Sequence, residues 1–106
     1  MHIPYLKCIQ MLILFMKDLL SLRATNVALN IRRVREYRGY TQDYLAGKLK
    51  LTQNAYSKIE LGYSELTVDR LFQIAEILNA DPVYLLTLSQ RDLINVITHA
   101  EKKAVK

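Results

Sequence analysis

Two Thr-Gln dipeptides, at residues 41–42 and 52–53, lie eleven residues apart, and each opens a short segment with helical spacing. A threonine hydroxyl can accept a backbone N–H that the first helical turn leaves unpaired, so both threonines are predicted N-caps. The polar side chains of the second segment are those of Gln53, Asn54, Ser57 and Lys58. Their amide, hydroxyl and ammonium groups can donate and accept hydrogen bonds, which suits recognition of a polar partner.

The other reactive residue types form no site for catalysis or metal binding. Cys8 is the single cysteine, which excludes an internal disulfide and fits a reducing cytoplasm, and His2 and His99 stand at opposite ends of the chain. The sequence lacks a glycine-rich phosphate loop, a Ser/His/Asp or Cys/His set within plausible reach, and paired carboxylates in an apolar stretch. We therefore expect no enzyme activity, no cofactor and no metal.

The overall composition sets only broad limits. A net charge of +5 and a pI near 9.4 are a mild excess, compatible with a polyanionic partner and equally with a lysine-rich surface. With 106 residues, 51% of them hydrophobic, the chain is long enough for one compact domain with a short extension. It is too short for two ordinary domains.

The fold is predicted to be all-α. Glycine occurs only at positions 39, 47 and 62 and proline only at 4 and 82, and no segment alternates as a half-buried strand would. After the N-terminal segment, helices are expected over 26–39, 41–49, 52–62, 67–79 and 81–86, and from 89 onward. Helical spacing places these residues on the apolar stripes of the predicted helices: Val27, Ile31, Val34, Leu45, Ala46, Leu49, Tyr56, Ile59, Val68, Leu71, Phe72, Ala75, Leu78, Leu93, Ile97 and Ala100.

An apolar N-terminal extension over residues 1–24 contains CIQMLILFMKDLLSL, the one candidate for a signal or membrane segment. Lys17 and Asp18 interrupt it well short of the roughly 20 apolar residues that a span needs, and no small-residue cleavage site follows. We expect an amphipathic helix that packs on a partner or on the core, with a membrane role as the alternative. Its apolar stripe comprises Tyr5, Ile9, Leu12, Ile13, Met16, Leu19 and Leu20.

The two short helices that begin after Thr41 and Thr52 must meet at a tight corner, because only Lys50 and Leu51 lie between them. A helix of about nine residues is marginal alone in water, so neighbouring helices have to hold the pair. A short helix braced across another, with its first turn and one polar face free, fits the major groove of DNA. The corner therefore predicts a helix-turn-helix whose recognition helix runs from Thr52 to Glu60.

Three motifs strengthen this interpretation: IRRVREYRGYTQDYLAGKLKLTQNAYSKIELG, the L-T-x-x-x-L-x-x-I-A-x-x-L run from Leu66 to Leu78, and the closing DPVYLL. With them, the stretch from Ile31 to Leu86 resembles the helix-turn-helix domain of the Xre and lambda-repressor-like family. The resemblance implies a lambda-repressor-like five-helix DNA-binding domain with added N-terminal and C-terminal helices. The expected limits are 25–88 for that domain and 89–106 for the C-terminal helix and tail.

The resemblance also implies which residues touch DNA. Those expected at base edges are Gln53, Asn54, Ser57 and Lys58. Glutamine and asparagine can pair bidentately with adenine, and lysine can donate to guanine O6 and N7. Gln42 is expected to touch phosphate and to brace the recognition helix.

Further contacts to the DNA backbone are expected around this set. The first turn opened by Thr52 is placed to meet a phosphate, and Tyr63 and Ser64 lie where family members use loop amides. A wider basic rim is expected from Arg33, Lys48 and Lys50, joined by Arg32 and Arg38.

Arg35 and Glu60 have a structural role in the resemblance, as an ion pair that ties the helix of Arg35 to the recognition helix. Two positions depart from the family pattern. Leu61 stands where an arginine or asparagine often donates to a phosphate, so one contact is expected to be missing. Lys50 fills a turn position usually held by glycine or asparagine, which implies a left-handed lysine or a slightly different corner.

The expected function is sequence-specific binding of double-stranded DNA by a cytoplasmic, nucleoid-associated transcriptional regulator that acts as a repressor. A homodimer is expected, because one recognition helix covers too few base pairs for useful specificity. Candidate interfaces are the stretch Tyr5–Leu20, the stripe of Leu93, Ile97 and Ala100, and the short helix Val83–Leu86. The alternative function is an antitoxin that binds a protein toxin and represses its own operon, since many antitoxins share this fold.

Overall fold

The computed structural model describes the backbone of residues 4–104 and the side chains of residues 5–19 and 23–100. This part of the chain holds six helices and no strand, which confirms the all-α prediction. The helices are α1 (Pro4–Arg38), α2 (Gln42–Leu49), α3 (Gln53–Glu60), α4 (Val68–Leu78), α5 (Pro82–Thr87) and α6 (Gln90–Ala104). His2 and the side chain of Leu20, both used in the sequence interpretation, lie outside the described residues.

The first helix, α1, is a single helix of 35 residues. The separate helix predicted to start near Asn26 is therefore wrong, because no glycine or proline stands between Pro4 and Gly39 to break the helical geometry. Asn26 does not cap a helix; its side-chain amide donates to the carbonyl of Leu88 at 3.4 Å. The expected boundary between residues 24 and 25 lies inside α1.

The core forms where the later turns of α1 meet the other helices. There α1 packs against α3, α4, α5 and α6, while α2 packs against α3 and α4. Fifteen buried side chains form the core cluster: Val27, Ile31, Val34, Leu45, Ala46, Leu49, Tyr56, Ile59, Leu71, Ile74, Ala75, Leu78, Leu85, Leu93 and Ile97. The two short helices are thus held from behind by α1 and α4.

Three residues of the predicted apolar stripes are exposed. Val68 and Phe72 are 67% and 55% exposed, because the inward stripe of α4 includes Ile74 and leaves both on its flank. Ala100 is exposed as well, one turn beyond the buried Ile97 of α6. The chain's own core therefore covers only part of the apolar stripes of α4 and α6.

Side-chain caps define the starts of the short helices. Thr41, Thr52 and Thr67 accept the N–H three residues on, at 3.0, 3.1 and 3.2 Å. Asp81 accepts from Val83 N at 2.8 Å with Pro82 in the first turn of α5. Each cap satisfies one of the backbone donors that a helix start leaves free. The predicted caps at these positions are confirmed.

Residues in the left-handed conformation follow α1, α2, α3 and α4. The φ angle is 59° at Lys50 and 51° at Asn79, and 75° and 77° at Gly39 and Gly62. Lys50 therefore adopts the left-handed conformation that the sequence raised as one of two options. The N–H of Leu51 then donates to the Ala46 carbonyl at 2.8 Å, which closes the corner between α2 and α3.

Two α1 side chains fasten the C-terminal ends of other helices. The fully buried amide of Asn30 donates to the carbonyls of Leu85 and Leu88 at 3.0 and 2.8 Å. Arg38 donates to the carbonyls of Leu78 and Asn79 at 2.9 and 3.1 Å, so it holds the end of α4 instead of standing free on a basic rim.

Candidate nucleic-acid interface

Helix α3, the predicted recognition helix, has two chemically distinct faces. Its inward side chains, all buried, are those of Tyr56, Ile59 and Glu60. On its other side Gln53, Asn54 and Lys58 are exposed and Ser57 is half-buried. The four residues predicted to read base edges therefore lie together on the free face of one eight-residue helix.

The buried face of α3 is anchored through the Glu60 carboxylate. Arg35 on α1 donates to it from Nε at 2.6 Å and from Nη2 at 3.1 Å, which is the ion pair that the resemblance implies. The Tyr56 hydroxyl donates to Glu60 Oε2 at 2.5 Å, and Gln42 Nε2 on α2 donates to Oε1 at 3.2 Å. Four hydrogen bonds from three helices thus converge on one carboxylate, which fixes how α3 sits on its supports.

This anchoring changes the acid–base behaviour of its members. Burial alone raises the pKa of Glu60, but the hydrogen bonds from Arg35, Tyr56 and Gln42 outweigh it and hold that pKa below its ordinary value. Burial, followed by the hydrogen bond to Glu60, raises the pKa of the Tyr56 hydroxyl. The hydrogen bond to Glu60 also raises the pKa of Arg35. At neutral pH the network is therefore a carboxylate held by a guanidinium, a phenol and an amide.

Gln42 has the bracing position predicted for it, since its bond to Glu60 ties the first turn of α2 to the last turn of α3. The sequence did not identify Tyr56 as a member of this network. Its position four residues before Glu60, on the same face of α3, is the signal that could have indicated it.

The first turn of α3 opens at Thr52, whose hydroxyl accepts the N–H of Ala55 at 3.1 Å. Because the cap satisfies only one of the first-turn donors, the N–H groups near Gln53 and Asn54 remain for an outside acceptor. These donors and the positive end of the helix dipole favour an anion at this point.

The predicted basic rim is divided by the structure. Lys48 and Lys50 line the groove between α2 and α4, next to the corner, together with Arg70. Arg33 instead donates from Nε to Gln90 Oε1 on α6 at 3.0 Å. Since Arg35, two residues along α1, faces α3, Arg33 points to the other side of the helix and lies apart from the polar face.

Tyr63 and Ser64 follow the left-handed Gly62 at the end of α3. The N–H of Tyr63 donates to the Lys58 carbonyl at 2.9 Å, so this loop amide is used within the helix ending. The Tyr63 side chain is 79% exposed. Any contact of Tyr63 with a DNA backbone would therefore come from its hydroxyl and not from its amide.

A metal-binding cluster and a membrane-spanning helix are both lacking in the part of the chain that the structure describes. Among those residues no group of His, Cys, Asp and Glu side chains could hold a metal ion. No helix within residues 4–104 has both the length and the apolar character required to cross a membrane.

A short capped helix with a free polar face, braced by a second short helix and fixed on a helical core, defines a helix-turn-helix protein. A family model described as helix-turn-helix matches residues 31–85, just over half of the chain. The chain therefore belongs to this helix-turn-helix family, of the Xre and lambda-repressor type. Its members are DNA-binding regulators, so the chain is a DNA-binding transcriptional regulator and not an enzyme.

Solved structures agree with this assignment. Two crystal structures of the clp gene regulator ClgR from Corynebacterium glutamicum are similar to the chain. One is 25% identical, covers 61% of this chain and 83% of the other, and has a TM-score of 0.56. The second is 22% identical, covers 78% of this chain and 86% of the other, and has a TM-score of 0.59. No curated protein matches the chain significantly.

Proposed function

We propose that the chain recognises a specific double-stranded DNA sequence as a homodimer and represses transcription from it, with α3 in the major groove. The observation that carries the proposal is the division of α3 into a buried face fixed by Glu60 and a free polar face. A rigid helix with exposed amide and ammonium groups can meet base edges without first ordering itself, which lowers the entropy lost on binding.

Within this proposal the exposed side chains divide into two groups. Gln53 and Asn54 pair with adenine edges, Lys58 donates to guanine, and Ser57 adds a shorter hydrogen bond. The contacts that position the domain without reading sequence come from Gln42, the first turn after Thr52, Lys48, Lys50, Tyr63 and Ser64. Arg33 lies outside this surface because it faces α6.

Repression follows from occupancy: a domain seated in the major groove excludes other proteins from the same stretch of duplex. A dimer is part of the proposal because one α3 covers only a few base pairs, and two half-sites about one helical turn apart give usable specificity. The similarity to a gene regulator supports the regulatory role.

The experiment is selection of bound fragments from genomic DNA with the purified chain, followed by titrations on the selected site and on a random duplex. Gln53→Ala should weaken binding to the selected site by about 1–3 kcal/mol and relax preference at one base position per half-site. Lys48→Ala should weaken binding to all duplexes similarly. It should also reduce the magnitude of the slope of log K against log salt concentration by about one for each lysine removed.

Arg33→Ala is the matched control, since it removes a positive charge from the opposite side of α1. It should change neither the base preference nor the salt slope. Equal affinity of the wild type for selected and random duplexes, unaltered by Gln53→Ala, would show that α3 does not read bases. A reporter gene carrying the selected site in its promoter tests repression, and transcription that rises with the protein would reverse that part of the proposal.

A further inference from the structure

The N-terminal turns of α1 extend away from the core as an arm, defined here as residues 5–19. Every large apolar side chain of the arm is between 44% and 69% exposed: Tyr5, Leu6, Ile9, Met11, Leu12, Ile13, Leu14, Phe15, Met16 and Leu19. The greatest extent of the molecule is 68 Å, against 34 and 18 Å in the other directions, as a protruding helix requires. The apolar pattern that predicted burial thus has no partner among the described residues of the same chain.

The size of this surface is that of an interface. Ten large apolar side chains at roughly half exposure present on the order of 800–1,000 Å² of apolar area, against about 800 Å² per partner in a standard protein interface. Isolated proteins rarely expose contiguous apolar patches of more than a few hundred Å². Since helical geometry spreads these side chains over roughly 280° of the arm's circumference, one neighbouring helix would not cover them all.

A second uncovered apolar surface lies at the foot of the arm. It is a groove of about 810 Å³ between the turns of α1 at Arg23–Ala28, the loop after α3, the start of α4 and the end of α5. In the rest of this subsection, "the groove" means this surface. Its exposed walls include Val68, Phe72 and Leu86, at 67%, 55% and 45% exposure. Two of these, Val68 and Phe72, have the spacing of core residues but are left uncovered.

We propose that the occupant of the groove is the arm of a second copy of this chain, so that two copies exchange arms about a two-fold axis. Two antiparallel arms of equal length bring the tip of each to the foot of the other, which is where the groove begins. Each arm then has the partner's arm on one side and the partner's groove on another, which accounts for its broad apolar face. Both copies use the same two surfaces, so the dimer leaves neither surface free for a third copy and the assembly is closed.

Two further observations favour a second copy over another occupant. Both complementary surfaces are on the same chain and adjoin each other on it, so self-association covers both at once. In addition, one of the other candidate interfaces is already occupied, since Leu93 and Ile97 are buried against the chain's own core at 0% and 7% exposure. The inference rests on the dimer of the proposed function and names the surface that forms it.

The test is sedimentation of the full chain without DNA, in which the wild type should be a dimer. The double variant Leu12→Glu/Met16→Glu places charge on the apolar face of the arm, and Val68→Glu places it in the groove. Each should weaken dimerisation by more than about tenfold, because a carboxylate would be buried without a partner. Gln10→Glu, on the polar side of the arm, and Val96→Glu, on the exposed side of α6, each add one negative charge elsewhere and should leave the dimer intact.

Mixing the two weakened variants tests the exchange itself. One intact arm and one intact groove remain in each mixed pair, so the mixture should form more dimer than either variant alone. Recovery on mixing also shows that both variants are folded. The exposed native Cys8 provides a second measurement. Ala24→Cys, in the wall of the groove, should give an intermolecular disulfide with Cys8 under mild oxidation, whereas Val96→Cys should not.

A monomeric wild type at tens of micromolar protein overturns the inference, whether or not the arm then binds lipid vesicles or a different protein. A Val68→Glu variant that remains fully dimeric also overturns it, because the arms would then pair without the groove. If Val83→Glu on α5 is what separates the copies, the interface lies on the fifth helix instead. Retention of Gln53-dependent DNA preference in any of these cases leaves the proposed reading of bases by α3 standing while the arm exchange fails.

Discussion

Removal of the Arg35 guanidinium is the most direct test of how α3 is held. In Arg35→Met the Glu60 carboxylate loses two hydrogen bonds, at 2.6 and 3.1 Å, while its side chain is only 2% exposed. Breaking a buried ion pair by removing one partner costs about 3–5 kcal/mol, because the remaining charge stays buried. We expect the free energy of unfolding to fall by this amount at neutral pH, a large share of the roughly 5–15 kcal/mol of a whole domain.

The loss should depend on pH in a defined direction. In the wild type the pKa of Glu60 lies below its ordinary value of 4.5, so the stabilisation is fully present above pH 4.5 and is lost as the pH falls through the folded pKa. In Arg35→Met, burial without the cation should raise the pKa of Glu60, so protonation relieves the buried charge as the pH is lowered. The difference in unfolding free energy between the two proteins should therefore shrink from neutral pH toward pH 4.5.

Urea denaturation followed by circular dichroism at several pH values measures this difference. The control is Arg32→Met, which breaks an ion pair with Glu36 on the surface of α1, where the side chains are 53% and 45% exposed. That change should cost at most about 1 kcal/mol. Arg35 also donates to the Tyr40 carbonyl at 2.8 Å, a bond whose loss is independent of pH in this range. If the deficit of Arg35→Met equals that of the control, or stays constant with pH, the account of Glu60 as a buried, paired carboxylate is refuted.

Three further substitutions test the local geometry, each by the shift of the urea or thermal unfolding transition. Lys50→Gly should stabilise the chain by about 1 kcal/mol, because the φ angle of 59° at Lys50 is left-handed and glycine adopts it without strain. Asn79→Gly should stabilise the chain less, because asparagine tolerates the left-handed φ angle of 51° at its position. An equal gain at both sites would contradict this reasoning. Thr52→Ala should cost about 1 kcal/mol by removing the cap of α3, and Thr52→Ser, which keeps the hydroxyl, should recover most of it. Asn30→Ala should cost about 1–3 kcal/mol by leaving two carbonyls at the end of α5 without their donor, and an unchanged transition would show that water replaces it.

The features that the sequence predicted well are those decided within a few residues. A threonine before a periodic segment is sufficient to indicate a cap, and Thr41, Thr52 and Thr67 all act as such. The helix-turn-helix followed from the two residues of the corner, since so short a connection leaves few arrangements for the flanking helices. Local signals of this kind need no knowledge of the rest of the fold.

What the sequence could not give are the choices that depend on distant neighbours. The helix start expected near Asn26 rests on the inward spacing of Val27, Ile31 and Val34, which shows which face packs on other helices but not where the helix begins, and α1 runs through that point. The direction of Arg33 depends on Gln90, 57 residues away. Likewise, helical periodicity placed Val68 and Phe72 on an apolar stripe, but it could not show which surface covers that stripe.

The two faces of α3 separate stability from specificity within eight residues. Changes on the buried side, at Glu60 or Tyr56, alter how the helix is held, so they should weaken binding to every duplex alike, by the factor by which they lower the fraction of correctly folded molecules. Changes at Gln53 or Asn54 touch no buried group, so they should alter base preference and leave unfolding unchanged. A variant of Gln53 that lowers the unfolding free energy as much as it lowers affinity would mean that the exposed face also supports the fold, and the assignment of separate tasks to the two faces would fail.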